Sequence, residues 1–88
     1  MNSFIKSLVV SAFPEESIDV VIRKMAKESR NVNYPGIVVI LDKQGVLLGV
    51  VTDGDIRRSY ANNILFSDAI SKIMVDKPIT ISEKVTEE

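Results

Sequence analysis

Apolar and polar residues are arranged along the first third of the chain in a way that predicts a strand followed by a helix. The apolar run Leu8–Ala12 has the length of a strand. Ser17, a residue type that caps helices, comes shortly afterwards. We therefore predict a helix from about Ser17 to Ser29. Its apolar residues recur at the spacing of one helix face, at Ile18, Val21, Ile22 and Met25.

Two further apolar runs predict a pair of adjacent strands. The first is Ile37–Leu41, and the second leads from Val46 to Thr52. The tetrapeptide DKQG between them has the composition of a tight hairpin turn in which glycine adopts a positive φ, so the strands should be antiparallel neighbours. Both runs are almost continuously apolar, which predicts burial on both faces of the sheet, with helices covering at least one of them.

The last third of the chain predicts two short helices. Residues Asp53–Asn62 form the first of them. Ser67 is a candidate N-cap for the second. The predicted order of elements is therefore strand, helix, strand, strand, helix, helix. The apolar side of the last helix would comprise Leu65, Ala69, Ile70, Ile73 and Met74.

Composition and charge restrict the class of protein. With 88 residues the chain is long enough for one small domain, and a domain of this size is often stabilised by a partner surface. The net charge of −1 provides no broad basic surface for nucleic acid or an anionic membrane. The N-terminal segment MNSFIKSLVVSAF is too short to span a bilayer and carries Lys6 within its apolar part, which favours a cytoplasmic location.

The sequence lacks the residue types that most often carry catalysis. It has no cysteine and no histidine, which excludes disulfides and thiolate metal sites and removes the commonest general base. Asp53 and Asp55 are two positions apart and would not share a helix face, which disfavours an acid–base pair. A calcium loop starting at Asp53 would place Arg57 and Ile64 at ligand positions. We therefore predict neither a catalytic nor a metal site.

The segment TDGDIRR, which ends the third strand and starts the next helix, has two interpretations. In the first, Thr52 or Asp53 caps the helix and Asp55 lies in its first turn, where a carboxylate is favoured. In the second, the free N–H groups of the helix start suit a phosphate, while Thr52 adds a hydroxyl and Asp55 accepts from sugar hydroxyls. The two interpretations do not exclude each other.

The element order and the sequence GVVTDGDI, Gly49–Ile56, together resemble a CBS domain, the cystathionine β-synthase type of regulatory module. That family carries the pattern G-h-h-[ST]-x-x-D-h, in which h is apolar, at the end of its third strand. YPGIVVILDKQGVLLG resembles the family's second strand, turn and third strand. The resemblance implies an α+β fold of the type β-α-β-β-α, with a small mixed three-stranded sheet and helices packed on it.

The resemblance also implies a ligand and its contacts. CBS domains normally occur in pairs that pack sheet to sheet, and the clefts between paired repeats bind adenosyl compounds such as AMP, ADP, ATP or S-adenosylmethionine. Such a ligand would be regulatory, so no cofactor is required. Matching positions assign phosphate and ribose contacts to Thr52 and Asp55, and a hydroxyl contact to Ser11. The same matching lines the base pocket with Tyr34, Pro35 and Gly36. Arg57 and Arg58 are candidates to neutralise a phosphate, and the alternative for at least one of them is a solvated cation on the helix surface.

The end of the chain resembles the beginning of a second repeat. Residues Ile79–Glu88, placed beneath Val10–Asp19, align hydroxyl residues with hydroxyl residues. In addition, IMVDKPITIS resembles the family's linker between repeats. The implied organisation is a first repeat with its linker helix over residues 1–76 and a truncated second repeat over residues 77–88. Pairing with a second repeat, or a homodimer of this chain, would complete the module.

Within the family, the sequence TDGDIRR resembles that of the CBS pairs attached to sugar nucleotidyltransferases and to arabinose 5-phosphate isomerases. It implies a non-catalytic module that senses an adenine nucleotide or a related phosphorylated ligand and modulates an attached catalytic domain. The alternative is a structural dimerisation domain in which Thr52 and Asp55 only cap a helix.

Overall fold

The described part of the chain folds into one small sheet with two α-helices on one of its faces. The computed structural model describes residues 7–76. The arrangement is the α+β fold that the sequence predicted. In chain order the elements are β1 (Val9–Ala12), α1 (Ile18–Glu28), β2 (Tyr34–Leu41), β3 (Leu47–Thr52), α2 (Asp53–Ala61), a short 3-10 helix (Ile70–Lys72) and β4 (Val75–Asp76).

Helix α1 connects two parallel strands. β1 and β2 pair in parallel, and parallel neighbours need a crossover of this kind. The helix starts after Ser17, whose side-chain oxygen accepts a hydrogen bond from the Val20 amide at 3.1 Å. It ends at Ser29, the C-cap residue. The predicted helix is therefore confirmed together with its cap.

A tight turn joins β2 to β3, which pair in antiparallel fashion as predicted. The Asp42 carboxylate accepts hydrogen bonds from the amides of Gln44 at 2.8 Å and Val46 at 2.9 Å. Gly45 has a φ of 84°, a conformation that is costly for residues with a side chain. The turn chemistry of DKQG therefore fixes the hairpin.

The two faces of the sheet differ in burial. On the face covered by α1 and α2, side chains are fully buried. On the opposite face, which we call the open sheet face, they are only half-buried. Burial on both faces was predicted, and it is not found in the described residues because both helices pack on the same side. The buried core consists of Val10, Ala12, Ile18, Val21, Met25, Val38, Ile40, Val51 and Ile70. The open sheet face carries Ser11, Ile37, Val39, Val50 and Thr52.

The sheet has four strands, so the predicted three-stranded sheet needs correction. β4 pairs antiparallel with β3 through Gly49 opposite Asp76 and Val50 opposite Val75. A Cβ on Gly49 would lie 2.5 Å from the carbonyl oxygen of Val75, so the absence of a side chain permits this close approach. Both residues of β4 are exposed, and a two-residue exposed strand has no apolar pattern that sequence reasoning could detect.

The helix predicted after Ser67 is also wrong. Only the short 3-10 helix Ile70–Lys72 forms there, and it has no side-chain cap. The amide of Ile70 donates to the carbonyl of Glu16 at 2.7 Å, and the amide of Ser71 bonds to the same loop at 3.1 Å. A helix capped by Ser67 would need the Ser71 amide for its first intrahelical hydrogen bond, and this amide bonds to the loop before α1 instead.

The described strand β2 begins at Tyr34, earlier than the predicted Ile37, because Tyr34 pairs with Val9 of β1 ahead of a register shift. Pro35 is tolerated there since it lies near the start of the strand. The predicted second repeat, residues 77–88, lies outside the described residues, and the division at residue 76 stays a prediction.

Candidate functional site

The candidate site begins where β3 ends and α2 starts. Thr52 is the last residue of β3 and the N-cap of α2. Its side-chain oxygen accepts a hydrogen bond from the Asp55 amide at 3.3 Å, and its own amide donates to Asp55 Oδ2 at 2.9 Å. This reciprocal pair is a capping box, which satisfies two backbone donors at once. The capping interpretation of TDGDIRR is thereby confirmed.

Asp55 is held ionised by its neighbours. Burial by itself would raise the pKa of this carboxyl, but the Thr52 amide, the Arg58 guanidinium and the Thr52 hydroxyl together lower it below its ordinary value. The hydroxyl donates to Oδ2 at 3.1 Å, and Arg58 Nη2 donates to Oδ1. The Asp55 side chain is only 12% exposed. Its negative charge is therefore directed into the chain rather than toward solvent.

Arg58 lies over the first turn of α2. A Cβ on Gly54 would be 3.3 Å from Arg58 Nη1 and 3.7 Å from the Thr52 hydroxyl oxygen. Glycine at this position therefore leaves room for the guanidinium beside the cap. The Arg58 side chain remains 69% exposed although it is paired with Asp55. The result is an exposed cation fixed at the positive end of a helix.

The start of β2 lies next to the start of α2. Ile37 pairs with Thr52, which brings Gly36 beside Asp53. A Cβ on Gly36 would lie 2.7 Å from Asp53 Oδ2, so a larger residue would have to displace that carboxylate. Pro35, Gly36 and Asp53 line one side of a groove of about 350 Å³ between the helices. Tyr34 is largely exposed at the same end of the sheet.

Ser11 lies apart from the other predicted residues. It is on β1, separated from Thr52 on β3 by the whole of β2, which places the two backbones about 10 Å apart or more. The side chains of Ser11 and Thr52 nevertheless belong to the same open sheet face. The Ser11 carbonyl accepts a hydrogen bond from Lys24 Nζ at 3.1 Å. Thr52, Asp55 and Arg58 thus form one cluster, and a ligand would have to cross β2 to reach Ser11 as well.

Sequence reasoning missed one cation near this cluster. Lys72, from the 3-10 helix, lines a depression of about 200 Å³ together with Asp55 and Arg58. No spacing rule links Lys72 to Arg58, because their proximity depends on the fold of the intervening segment. The helix that the sequence predicted for that segment gave no reason to expect Lys72 near Arg58.

Within residues 7–76, no group of three or more potential ligand side chains is arranged to hold a metal ion. Across the same residues, none of the helices combines the length and the apolar character needed to cross a membrane.

The element order, the mixed sheet and the motif at the end of β3 define a class: a small α+β module of the β-α-β-β-α type. The chain belongs to the CBS domain family, since the family model matches residues 5–62, more than half of its length. Domains of this family are regulatory rather than catalytic modules. No curated protein is significantly similar to the chain in sequence.

Solved structures share the fold. A cystathionine β-synthase domain protein fused to a Zn-ribbon-like domain is 22% identical with a TM-score of 0.68, over 81% of this chain and 96% of that chain. A CBS domain protein from Pyrobaculum aerophilum complexed with AMP is 19% identical with a TM-score of 0.65, over 91% of this chain and 64% of that one. A CBS domain pair in complex with 5-methylthioadenosine and S-adenosyl-L-methionine is 23% identical with a TM-score of 0.62, over 92% and 69%. This chain thus spans about two thirds of the last two.

Proposed function

We propose that the chain is a regulatory module that binds an adenine nucleotide or a related phosphorylated ligand at the end of β3. The observation that carries the proposal is the cluster of Thr52, Asp55 and Arg58, in which a capped helix start and a fixed exposed guanidinium converge. Family membership supports it, because two structures with the same fold were solved with adenosyl compounds.

The chemistry of the cluster suits a phosphate. The first-turn amides of α2 and the helix dipole favour an anion, and Arg58 adds a permanent positive charge with several N–H donors. The Thr52 hydroxyl lies close to this guanidinium. A Cβ on Gly54 would be 3.7 Å from the hydroxyl oxygen and 3.3 Å from Arg58 Nη1.

Asp55 has a double role in this proposal. Its Oδ2 atom accepts from the Thr52 amide and hydroxyl, and its Oδ1 atom holds Arg58 in place. A carboxylate oxygen can accept more than one hydrogen bond, so Oδ1 keeps capacity for a sugar hydroxyl. Asp55 therefore contacts ribose while it positions the cation that contacts phosphate.

The open sheet face supplies the pairing surface. Its apolar residues Ile37, Val39 and Val50 are only half-buried in the described part of the chain. A second repeat, or a second copy of the chain in a homodimer, would cover this face and complete the cleft that includes Ser11. Tyr34, Pro35 and Gly36 would then bound the base.

Regulation would follow from linkage. A ligand that binds the paired arrangement better than the open one shifts the population toward the paired state. In the parent protein this shift would alter an attached catalytic domain of sugar-nucleotide or sugar-phosphate metabolism. Such ligands and enzymes would place the module in the cytoplasm.

Calorimetric titration with AMP, ATP and a nucleotide sugar tests the proposal. Thr52→Ala and Asp55→Ala should abolish the binding heat of the ligand that binds the wild type. Ser17→Ala is the matched control, because it removes the N-cap hydroxyl of α1 at a comparable cost of about 1 kcal/mol but lies outside the cluster. It should bind as the wild type does.

The alternative function is a structural dimerisation domain without a ligand. The capping box favours it, because Thr52 and Asp55 already form hydrogen bonds with each other within the chain. The absence of heat with every ligand at millimolar concentration, in a chain that self-associates, would support this alternative and contradict ligand binding.

A further inference from the structure

We propose that the depression lined by Arg58 and Lys72 holds the distal phosphates of a nucleoside di- or triphosphate, so that the module prefers ATP or ADP over AMP. This inference rests on the proposed function, and it adds a specificity-determining residue, Lys72, that the family motif does not contain. The depression has a volume of about 200 Å³, below the usual range for a whole drug-sized ligand. It is suited to a small group attached to a ligand bound elsewhere.

The depression presents two exposed cations, Arg58 and Lys72. Each is paired with a carboxylate: Asp55, which belongs to the lining, and Asp68, which is 3.3 Å from Lys72 Nζ. The Asp55 side chain is 12% exposed, and both of its oxygens accept hydrogen bonds from within the chain. The Arg58 and Lys72 side chains are 69% and 59% exposed. An entering anion would therefore meet the cations before the carboxylate. The depression also contains the polar side chain of Asn62, which can donate through its amide.

The position of the depression links it to the cluster of Thr52, Asp55 and Arg58. Arg58 belongs to both, because its guanidinium lies over Gly54 beside Thr52 and also lines the depression. A phosphate at the start of α2 would contact Arg58 on one side, and the phosphates attached to it could continue along the helix toward Lys72. We expect a monophosphate to contact Arg58 and not Lys72. This arrangement would distinguish nucleotides by the length of their phosphate chain.

Lys72 is available for such a contact. Its Nζ atom is 3.3 Å from Asp68 Oδ2, a long ion pair on an exposed side chain, and such pairs contribute little to stability. Asp68 Oδ2 also accepts from the Leu65 amide at 3.1 Å, so this carboxylate keeps a partner when Lys72 turns to a phosphate.

Binding of adenosine, AMP, ADP, ATP and inorganic tripolyphosphate to the full chain tests the inference. We expect Lys72→Ala to weaken ATP binding about tenfold, the effect of one charge-assisted hydrogen bond, and to leave AMP binding within about twofold. Lys43→Ala is the matched control, since Lys43 is an exposed lysine in the β2–β3 turn and should change neither. Asp68→Asn should have the opposite sign and strengthen ATP binding, because it removes the charge that competes for Lys72.

The outcomes separate this inference from the proposed function. Equal loss of AMP and ATP binding in Lys72→Ala, or no loss of either, overturns the role of Lys72 while nucleotide binding stands. If no nucleotide binds but tripolyphosphate binds and depends on Lys72, the depression is an anion site and the proposed nucleotide function is wrong. If neither nucleotides nor tripolyphosphate bind, both proposals fail.

Discussion

At the scale of single residues, the atoms that form a helix cap are the same ones that we propose as ligand contacts. Thr52 and Asp55 close a capping box, and Asp55 then fixes Arg58 beside it. The pattern [ST]-x-x-D was sufficient to predict the cap, because both partners are local in sequence. It was not sufficient to predict that the Asp55 carboxylate would be directed inward, since its exposure depends on the surrounding fold.

The lowered pKa of Asp55 predicts a loss of stability in acid. The folded-state pKa lies below the ordinary value of 3.8, so the folded chain keeps this carboxylate ionised where the unfolded chain takes up a proton. The stabilisation is complete above the ordinary value and is lost as the pH falls through the folded-state pKa. Asp55→Asn should therefore be less stable than the wild type at neutral pH and should lose less of its stability in acid.

Urea unfolding at several pH values between neutral and about 2 measures this difference. Ser17→Ala serves as control, because it removes a cap without removing a carboxylate and should lower stability by a similar amount at every pH. Parallel pH profiles for Asp55→Asn and the wild type would contradict the assignment.

At the scale of elements, the segments that were predicted correctly carry their own signals. Helix α1 has a periodic apolar face and a serine cap, and the β2–β3 hairpin has its turn residues. The segment after α2 also has an apolar periodicity and a candidate cap in Ser67, but its structure depends on partners distant in the sequence. Its backbone bonds to the loop before α1, and Ile70 enters the core from there. The local sequence pattern therefore predicted a helix where the structure has a short 3-10 helix and an edge strand.

Ile70 should be as important to stability as any residue of the longer elements. It is completely buried although its own element spans only Ile70–Lys72. We expect Ile70→Ala to lower the free energy of unfolding by about 2–5 kcal/mol, through lost burial and a residual cavity. Val46→Ala, at a side chain that is 55% exposed, should cost much less. Equal effects of the two substitutions in urea unfolding would show that the segment does not belong to the cooperative core.

At the scale of the whole molecule, the sequence predicted more burial than the described part of the chain provides. The apolar runs of β2 and β3 indicated two covered faces, and the helices cover one. Because an apolar sheet face exposed to water is unfavourable, this difference is the main structural argument for a partner.

A charge on the open sheet face should weaken self-association without unfolding the chain. Val39 lies at the centre of that face, opposite Ser11 on one side and Val50 on the other. We expect Val39→Lys to shift the chain toward monomer in sedimentation experiments, because a lysine there would be desolvated on pairing. Val46→Lys, on the exposed hairpin, is the control. Unchanged association of Val39→Lys with an intact fold would exclude this face as the pairing surface.

The attachment of β4 gives the molecule a mechanical property. The chain leaves the described fold along the edge of the sheet, held to β3 by two residue pairs, Gly49 with Asp76 and Val50 with Val75. A force applied to the chain at Asp76 would act first on these two residue pairs. Through β3 it would then act on Thr52, the N-cap of α2 in the candidate site. Tension on this edge of the sheet would thus be applied to the same strand that ends at the cluster of Thr52, Asp55 and Arg58.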